Sequence, residues 1–181
     1  QLDQRHRCFQ IKRHAAVVAF VHQGNETPHA VVMHGQGRQL PLAGKHLLGT
    51  VLGTTGDPAG ALAGAGVTLD DLSFVETHDC FTVAEMLEYE AMGLAEQGQG
   101  HRIIREGVTT MQGKLPVNPS GGLKSKGHPI GATGVSQHVM AAMQIAGEAG
   151  DKQVPGAKLG GVFNMGGAAV ANYCSILERV K

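Results

Sequence analysis

The amino-acid sequence predicts an α/β layered fold with a mixed five-stranded sheet and flanking helices. Short apolar runs that are typical of buried strands lie near both ends of the chain. Two segments with helical spacing of apolar residues lie between the third run and the fourth, and helices between buried strands indicate a layered α/β architecture. The length of 181 residues suits one ordinary domain with a sizeable core.

Five short apolar runs are predicted to form the strands of this sheet. They are AAVVAFV (15–21), HAVVMH (29–34), LSFVET (72–77), KLGGVFNM (158–165) and AVANYCSILE (169–178). Residues 35–66 contain nine glycines and show no clear helical stripe, so no element is predicted there.

Two helices are predicted between these strands. The segment TVAEMLEYEAMGL (82–94) has helical spacing of its apolar residues, and Thr82 and Glu85 form a capping-box pair, so this helix should begin at about Thr82. The second helix should run from about 132 to 146, directly after the glycine-rich stretch KSKGHPIGATG. The polar residues 96–122 are predicted to form a loop.

The composition excludes several classes of function. Formal net charge is zero, so no global field draws the protein to nucleic acid or to a membrane surface, and no apolar run is long enough to span a bilayer. The three cysteines cannot all pair within the chain and do not have the spacing of a zinc site, which indicates free thiols in a reducing, cytoplasmic compartment. Six of the ten histidines precede residue 47 without a strong ligand spacing, so no metal is assigned to them.

Three short motifs combine residues that suit acyl transfer. ETHDCF (76–81) lies where a predicted strand ends and a helix begins, GHP (127–129) precedes a helix, and NMGGAA (164–169) is a sharp turn between two strands. In α/β proteins reactive groups collect at strand ends, and helix N-termini supply N–H groups that favour a developing anion. Two imidazoles, one thiol and a Gly-Gly backbone could therefore converge on an oxyanion.

The residues of these motifs resemble the C-terminal half of thiolases. VNPSGGLKSKGHPIGATG (117–134) looks like the C-terminal active-site segment of that family, and HDCF (78–81) resembles the variant found in thiolases of the sterol-carrier-protein type. FNMGGAA (163–169) stands where many thiolases have Cys-x-Gly, with Asn164 in place of the cysteine. The resemblance covers residues 67–181 and implies a thiolase-like layered fold, of which this chain is the C-terminal half.

The resemblance implies a role for each residue of the candidate site. His128 would bind the thioester oxygen and help to activate the nucleophile, His78 would support the same oxyanion hole, and the backbone N–H of Gly166 would join a second one. Cys80 would move protons to and from the substrate. The residues that are expected to bind substrate are Ser120, Gly121, Gly127 and Pro129. Asn164 would tolerate replacement far better than Cys80.

Two features depart from a complete thiolase. The nucleophilic cysteine of thiolases lies in their first half, and Cys8 lacks the glycine and serine context of that residue, so the chain alone is expected to be inactive. Residues 1–66 lack the amphipathic helix that a thiolase second half should show. Part of this region, before the catalytic half at 67–181, is therefore expected to be frameshifted, wrongly assigned or from a divergent partner subunit. The missing half should cover one face of the sheet, with the helices on the other face only.

The predicted function is that of an acyl-CoA thiolase, an acyltransferase that forms or cleaves the carbon–carbon bond of 3-ketoacyl-CoA. Two alternatives stay open: a β-ketoacyl synthase-like condensing enzyme, and a non-catalytic thiolase-like subunit that binds acyl-CoA. The resemblance implies no cofactor, with a coenzyme A thioester as the substrate. The expected protein partners are the missing N-terminal thiolase half or a partner subunit, and further copies of the chain in a homodimer or homotetramer.

Overall fold

A computed structural model gives the architecture of the chain. It describes residues 16–21, 29–34 and 47–55 as strands, together with residues 57–167 and 169–179. The predictions made for Cys8 and its neighbours lie outside the described residues.

Six strands form one mixed sheet. In chain order they are β1 (Ala16–Val21), β2 (His29–His34), β3 (Leu47–Thr55), β4 (Phe74–Thr77), β5 (Leu159–Gly166) and β6 (Ala171–Glu178). The order across the sheet is β1-β2-β3-β6-β5-β4. The pairs β2–β3 and β4–β5 are parallel, and the other neighbours are antiparallel. All five predicted strands are present, and β3 is an additional strand that the sequence pattern did not predict.

The glycines of β3 explain why its sequence does not predict a strand. Gly49 and Gly53 interrupt the apolar pattern of LLGTVLGTT, and glycine weakens a strand interior and often marks a bulge. The register between β3 and β6 shifts between Val51 and Gly53, as expected for such an irregularity. Pairing with β2 on one side and β6 on the other overrides the weak local preference.

The described residues contain five α-helices. They are α1 (Pro58–Ala65), α2 (Thr82–Ala91), α3 (Gly100–Arg105), α4 (Gly122–Lys126) and α5 (Thr133–Ala146). The two predicted helices correspond to α2 and α5, and both begin within a residue of the predicted position. The predicted loop at 96–122 is partly helical, because α3 forms there and buries Ile103 against the core.

Helix α1 begins and ends with strong local signals, although its residues are too small to show an apolar stripe. The carboxylate of Asp57 accepts a hydrogen bond from the Gly60 N–H at 2.6 Å, and Pro58 occupies the first turn. Gly66 ends the helix in the left-handed region with φ 70°. Ala61 is fully buried, so residues 57–66 belong to the folded unit.

The start of α2 is as predicted, but the predicted capping box is wrong. Phe81 is the N-cap residue and Thr82 is already helical, without a side-chain bond to the helix end. The Glu85 carboxylate instead accepts a hydrogen bond from the Tyr89 hydroxyl at 2.9 Å and lies 3.3 Å from Lys124 Nζ. Glu85 therefore connects α2 to α4, and no side chain caps the first turn of α2.

Helices pack on both faces of the sheet, so the prediction of a sheet covered on one face only is wrong. Consecutive residues of β4 show this, since Phe74 packs with Ala141 and Ile145 of α5, whereas Val75 packs with Ala61 of α1 in a second cluster. All four residues of β4 are buried. No helix in the described part of the chain combines the length and apolar character that crossing a bilayer requires.

Candidate active site

The candidate active site lies at the carboxyl ends of two neighbouring parallel strands. The register of β4 and β5 pairs Thr77 with Phe163, so the next residues along the two strands, His78 and Asn164, are neighbours. This is the edge at which α/β sheets usually bind their ligands. His78 opens the loop between β4 and α2, and the segment that carries His128 leads into α5.

His78 is held both by its backbone and by its ring. Its backbone N–H donates to Glu88 Oε2 at 2.9 Å, and its ring Nδ1 lies 2.9 Å from Asn164 Oδ1. Burial lowers the pKa of His78 below its usual value, and the nearby His128 lowers it further. The hydrogen bond with Asn164 and the charge of Asp79 oppose this shift only in part. The His78 ring is therefore neutral near pH 7.

His128 is exposed and contacts His78 directly. The two ring centroids are 4.8 Å apart, and the rings are nearly perpendicular at 85°. His128 Nδ1 lies 2.7 Å from Thr133 Oγ1, and the Thr133 hydroxyl donates to the Pro129 carbonyl at 3.1 Å. The first turn of α5 thus fixes the ring of His128 beside that of His78.

Asp79 connects the His78 loop to α4. Its Oδ1 accepts a hydrogen bond from the Leu123 N–H at 2.7 Å, and its carboxylate lies 3.6 Å from Lys124 Nζ. A side chain at Gly122 would overlap the Asp79 carboxylate, and Gly122 also has φ 66°. A glycine at position 122 therefore lets the two loops approach closely enough for the histidines to meet.

A buried charged network anchors the start of the same loop. Ser120 donates its hydroxyl to Glu76 Oε2 at 2.6 Å and accepts from Lys126 Nζ at 3.0 Å. Lys126 Nζ also lies 3.3 Å from Glu76 Oε2. Both Glu76 and Ser120 are fully buried. These contacts fasten the loop to β4 and leave no exposed atom of Ser120 to meet a ligand.

Asn118 holds the end of β4 that leads into His78. Its Oδ1 accepts from the Thr77 N–H at 2.8 Å, and its Nδ2 donates to Thr77 Oγ1 at 2.8 Å. Asn118 adopts a positive φ of 52°, which asparagine tolerates better than most residues. The Asn118 side chain thus supplies, at the end of β4, a hydrogen bond of the kind that a neighbouring strand would otherwise provide.

The remaining predicted site residues lie in the same loops. Cys80 is half-buried two residues after His78, and Gly166 ends β5 two residues after Asn164. Gly121 and Gly127 flank α4 with φ of 93° and 94°, so they shape the loop. The Pro129 carbonyl accepts from Thr133. Contact of these residues with substrate stays a prediction, and the complete burial of Ser120 favours a structural role for it.

The sequence reasoning missed three residues that hold the site, namely Asn118, Glu88 and Asn164. Each is a polar side chain that lies beside or within an apolar run, and that pattern could have drawn attention to it. Asn164 was expected to tolerate replacement, yet its amide contacts the ring of His78. The physical reason is the parallel register of β4 and β5, which a sequence pattern does not reveal.

The arrangement can bind and protonate an anionic oxygen. Two adjacent imidazoles offer nitrogen atoms for proton transfer, and Cys80 offers a thiol. Within the part of the chain that the structure describes, no group of three or more His, Cys, Asp or Glu side chains is placed to hold a metal ion.

Fold and site together define an α/β domain with a two-histidine centre of the kind that acyl transfer uses. A family described as "Thiolase C-terminal domain-like" matches residues 46–179. The chain therefore belongs to this thiolase C-terminal domain family. The match begins before residue 67, so it includes β3 and α1.

Similar proteins include enzymes and lipid carriers. An acetyl-CoA acetyltransferase of Methanothermobacter thermautotrophicus is 45% identical over 115 residues, which cover 64% of this chain and 30% of that protein. Human sterol carrier protein 2 is 50% identical over 107 residues, which cover 59% of this chain and 20% of that protein. The chain thus spans less than a third of the length of these relatives.

A solved structure shows the same fold at low sequence identity. The Ltp2-ChsH2(DUF35) aldolase superposes with a TM-score of 0.59 and 21% identity, over 67% of this chain and 30% of that one. This similarity supports the layered α/β architecture.

Proposed function

We propose that this chain is the histidine-bearing half of an acyl-CoA thiolase, an acyltransferase that forms or cleaves the carbon–carbon bond of 3-ketoacyl-CoA. The observation that carries the proposal is the contact between His78 and His128, whose ring centroids are 4.8 Å apart at the strand ends of a thiolase-family domain. The name of the acetyltransferase relative places that protein among the acyltransferases.

The chemistry of a 3-ketoacyl thioester fits these groups. Making or breaking its carbon–carbon bond passes through an enolate, whose negative oxygen needs hydrogen-bond donors, and a histidine supplies one when its Nε2 is protonated. In the proposed reaction His128 and His78 serve this oxygen, and the Gly166 N–H serves the oxygen of the second acyl group. In the condensing direction Cys80 takes the proton from the α-carbon and passes it to the thiolate that leaves the acyl-enzyme. In the cleaving direction it carries a proton the opposite way, so no external acid is consumed.

The described residues offer no cysteine suited to act as the nucleophile, and Cys8, outside them, lacks the glycine and serine context of that residue. Burial raises the pKa of Cys174 to about 12, and this thiol lies in an apolar cluster, so it cannot supply a thiolate near neutral pH. Cys80 is already assigned to proton transfer. We therefore assign the nucleophile to an N-terminal thiolase half or to a partner subunit.

An apolar rim supports the presence of such a segment. Each loop of the site is followed by a large apolar side chain in solvent: Phe81 is 71% exposed, Ile130 is fully exposed and Val170 is 88% exposed. Exposed apolar side chains that cluster around polar residues mark interaction sites. We refer to Phe81, Ile130 and Val170 as the apolar rim, and propose that the nucleophile-bearing segment covers it.

The experiment measures single-turnover acylation and acetoacetyl-CoA thiolysis by the chain, alone and assembled with the nucleophile-bearing segment. We expect both reactions only in the assembled protein. His128→Ala should impair both, whereas the control His101→Ala, on the exposed side of α3, should change neither. Thiolysis by the isolated chain, or full activity of the assembled His128→Ala variant, would refute the proposal.

A non-catalytic acyl-CoA-binding subunit is the second candidate. It is favoured by the burial of the Cys174 thiol, because the described residues then hold no accessible thiol besides Cys80. Calorimetric binding of acetyl-CoA by an assembled protein that shows no acylation would select it. No observation on the structure favours the β-ketoacyl synthase-like alternative.

A further inference from the structure

We propose that Asn164 is a positioning residue that fixes His78 in its Nδ1–H tautomer and leaves Nε2 as the ring nitrogen that meets the substrate. The reference to a substrate rests on the proposed function, whereas the tautomer is a property of the protein alone. Asn164 occupies the position where the resemblance suggested a replaceable residue. The contact between Asn164 and His78 gives Asn164 a role that does not depend on the cysteine which many thiolases have at this position.

The strand register brings the two side chains together. The parallel pairing of Thr77 with Phe163 makes His78 and Asn164 neighbours, and His78 Nδ1 lies 2.9 Å from Asn164 Oδ1. His78 is buried and its backbone N–H is bonded to Glu88, so the ring has little freedom to turn away. The contact is therefore built into the strand ends.

The Asn164 amide directs its oxygen toward His78. Its Oδ1 lies 2.9 Å from His78 Nδ1, and its Nδ2 lies on the side of Gly134, where an added methyl group would be 2.9 Å from it. A carbonyl oxygen can only accept a hydrogen bond, so the proton of the bond belongs to His78 Nδ1.

The same logic holds for His128. The Pro129 carbonyl accepts the single hydroxyl proton of Thr133, so Thr133 Oγ1 must accept from His128 Nδ1–H. Each histidine therefore donates from Nδ1 to a fixed acceptor and keeps Nε2 for chemistry.

The fixed tautomer has a consequence for the proposed reaction. Neutral His78 acts first as a proton acceptor, and it becomes a donor to the substrate oxygen only after Nε2 has gained a proton. The groups that bear on its titration are His128, Asp79 and Asn164. Replacing Asn164 should therefore alter the tautomer and the pKa of His78 together.

The experiment is a long-range ¹H–¹⁵N correlation spectrum of the full chain, with His78 assigned by its loss in His78→Gln. We expect Nδ1 to carry the proton in the wild type and in Asn164→Asp, which keeps an acceptor oxygen. In Asn164→Ala the Nε2–H form, which predominates in water, should become the major one. The control Asn172→Ala, in β6, should leave His78 unchanged. Circular dichroism shows whether each variant is folded.

The pH titration of His78 provides a second measurement. The carboxylate of Asn164→Asp should raise the His78 pKa, and Asn164→Ala should lower it, because the acceptor that favours the protonated ring is gone. An Nε2–H proton on His78 in the wild type overturns the proposal, whether or not any variant folds. An unchanged tautomer in folded Asn164→Ala overturns it as well. Neither result depends on thiolase activity, which is tested separately with His128→Ala.

Discussion

Glu88 is the residue through which pH should act most directly on the His78 loop. It is 1% exposed, and its Oε2 accepts the His78 N–H. Burial raises its pKa to about 8, and the nearby carboxylates of Glu85 and Asp79 raise it as well. Glu88 is therefore a neutral acid at pH 7, able to accept the His78 N–H without placing a buried charge beside the site.

Glu88→Gln should make the chain more stable at neutral and alkaline pH. The unfolded carboxyl loses its proton near pH 4.5 and the folded one near pH 8, so between these values the folded state binds more protons and wild-type stability falls as pH rises. The free energy of unfolding of the wild type falls by at most about 1.4 kcal/mol for each pH unit. Glutamine keeps an acceptor for the His78 N–H but cannot ionise, so the variant should lack this slope.

Urea unfolding at pH 5 and at pH 8 measures the difference. The gap between Glu88→Gln and the wild type should be small at pH 5 and should widen toward pH 8. Glu96→Gln, an exposed change, serves as the control and should follow the wild type. A difference in unfolding free energy between Glu88→Gln and the wild type that is the same at both pH values would show that Glu88 is ionised in the folded state.

Cys80→Ala should separate the two halves of the proposed reaction. The acyl-enzyme should still form in the assembled protein, because its nucleophile is a different cysteine, while the carbon–carbon step should slow by about 10²–10⁴, the usual contribution of a positioned acid or base. Single-turnover acylation measured beside the complete reaction distinguishes the steps. Cys174→Ala should lower stability yet keep the rate per folded molecule. Full turnover by Cys80→Ala would move the proton-transfer role to another residue.

At the scale of elements, the sequence predicted the helices that have a local apolar pattern. It missed the elements that are ordered by contacts with other parts of the fold. The helices α2 and α5 have apolar faces, and their predicted starts are confirmed within a residue. β3 and α1 are built from glycine and small apolar residues, and they are ordered by pairing with β6 and by packing on it. Local propensity carries no information about such partners.

At the site too, the sequence predicted the residues that lie in recognisable motifs and missed those whose role depends on contacts between elements. The sequence pointed to His78 and His128 through their motifs, and the structure places their rings in contact. The contacts of Asn164 and Glu88 with His78 could not be predicted, because they join residues 86 and 10 positions apart through a register and a helix packing. The complete burial of Ser120 likewise follows from its bond to Glu76 across the loop.

Gly122→Ala should test whether α4 and the His78 loop are coupled. A methyl group there would overlap the Asp79 carboxylate at a residue with φ 66°. The backbone strain costs about 1–3 kcal/mol, and displacement of Asp79 from the Leu123 N–H adds about 1–3 kcal/mol. Gly156→Ala is a matched control, because its φ is 69° and the space around it is open. Denaturant unfolding should show the larger loss for Gly122→Ala, and equal losses would contradict the coupling.

At the scale of the whole molecule, helices of the described residues cover both faces of the sheet and leave exposed side chains at the edge that holds the histidines. His128 is exposed, and the exposed side chains of the apolar rim follow the motifs of the site in the sequence. The two apolar clusters lie on opposite faces of the sheet, so the fold has its own core. The proposed nucleophile-bearing segment would cover the three exposed side chains of the apolar rim.

Polar replacement of the apolar rim should therefore weaken assembly without unfolding the chain. Burying one large apolar side chain contributes about 1.5–3 kcal/mol, so Ile130→Ser alone should weaken binding of the nucleophile-bearing segment by roughly 10- to 100-fold. The unfolding free energy of the isolated chain should hardly change, because Ile130 is fully exposed in it. Ile104→Ser is the control, since Ile104 is 53% exposed on α3 and belongs to none of the site loops. Titration calorimetry of each variant with the segment measures the affinity. Equal affinities for Ile130→Ser and Ile104→Ser would place the interface elsewhere on the domain.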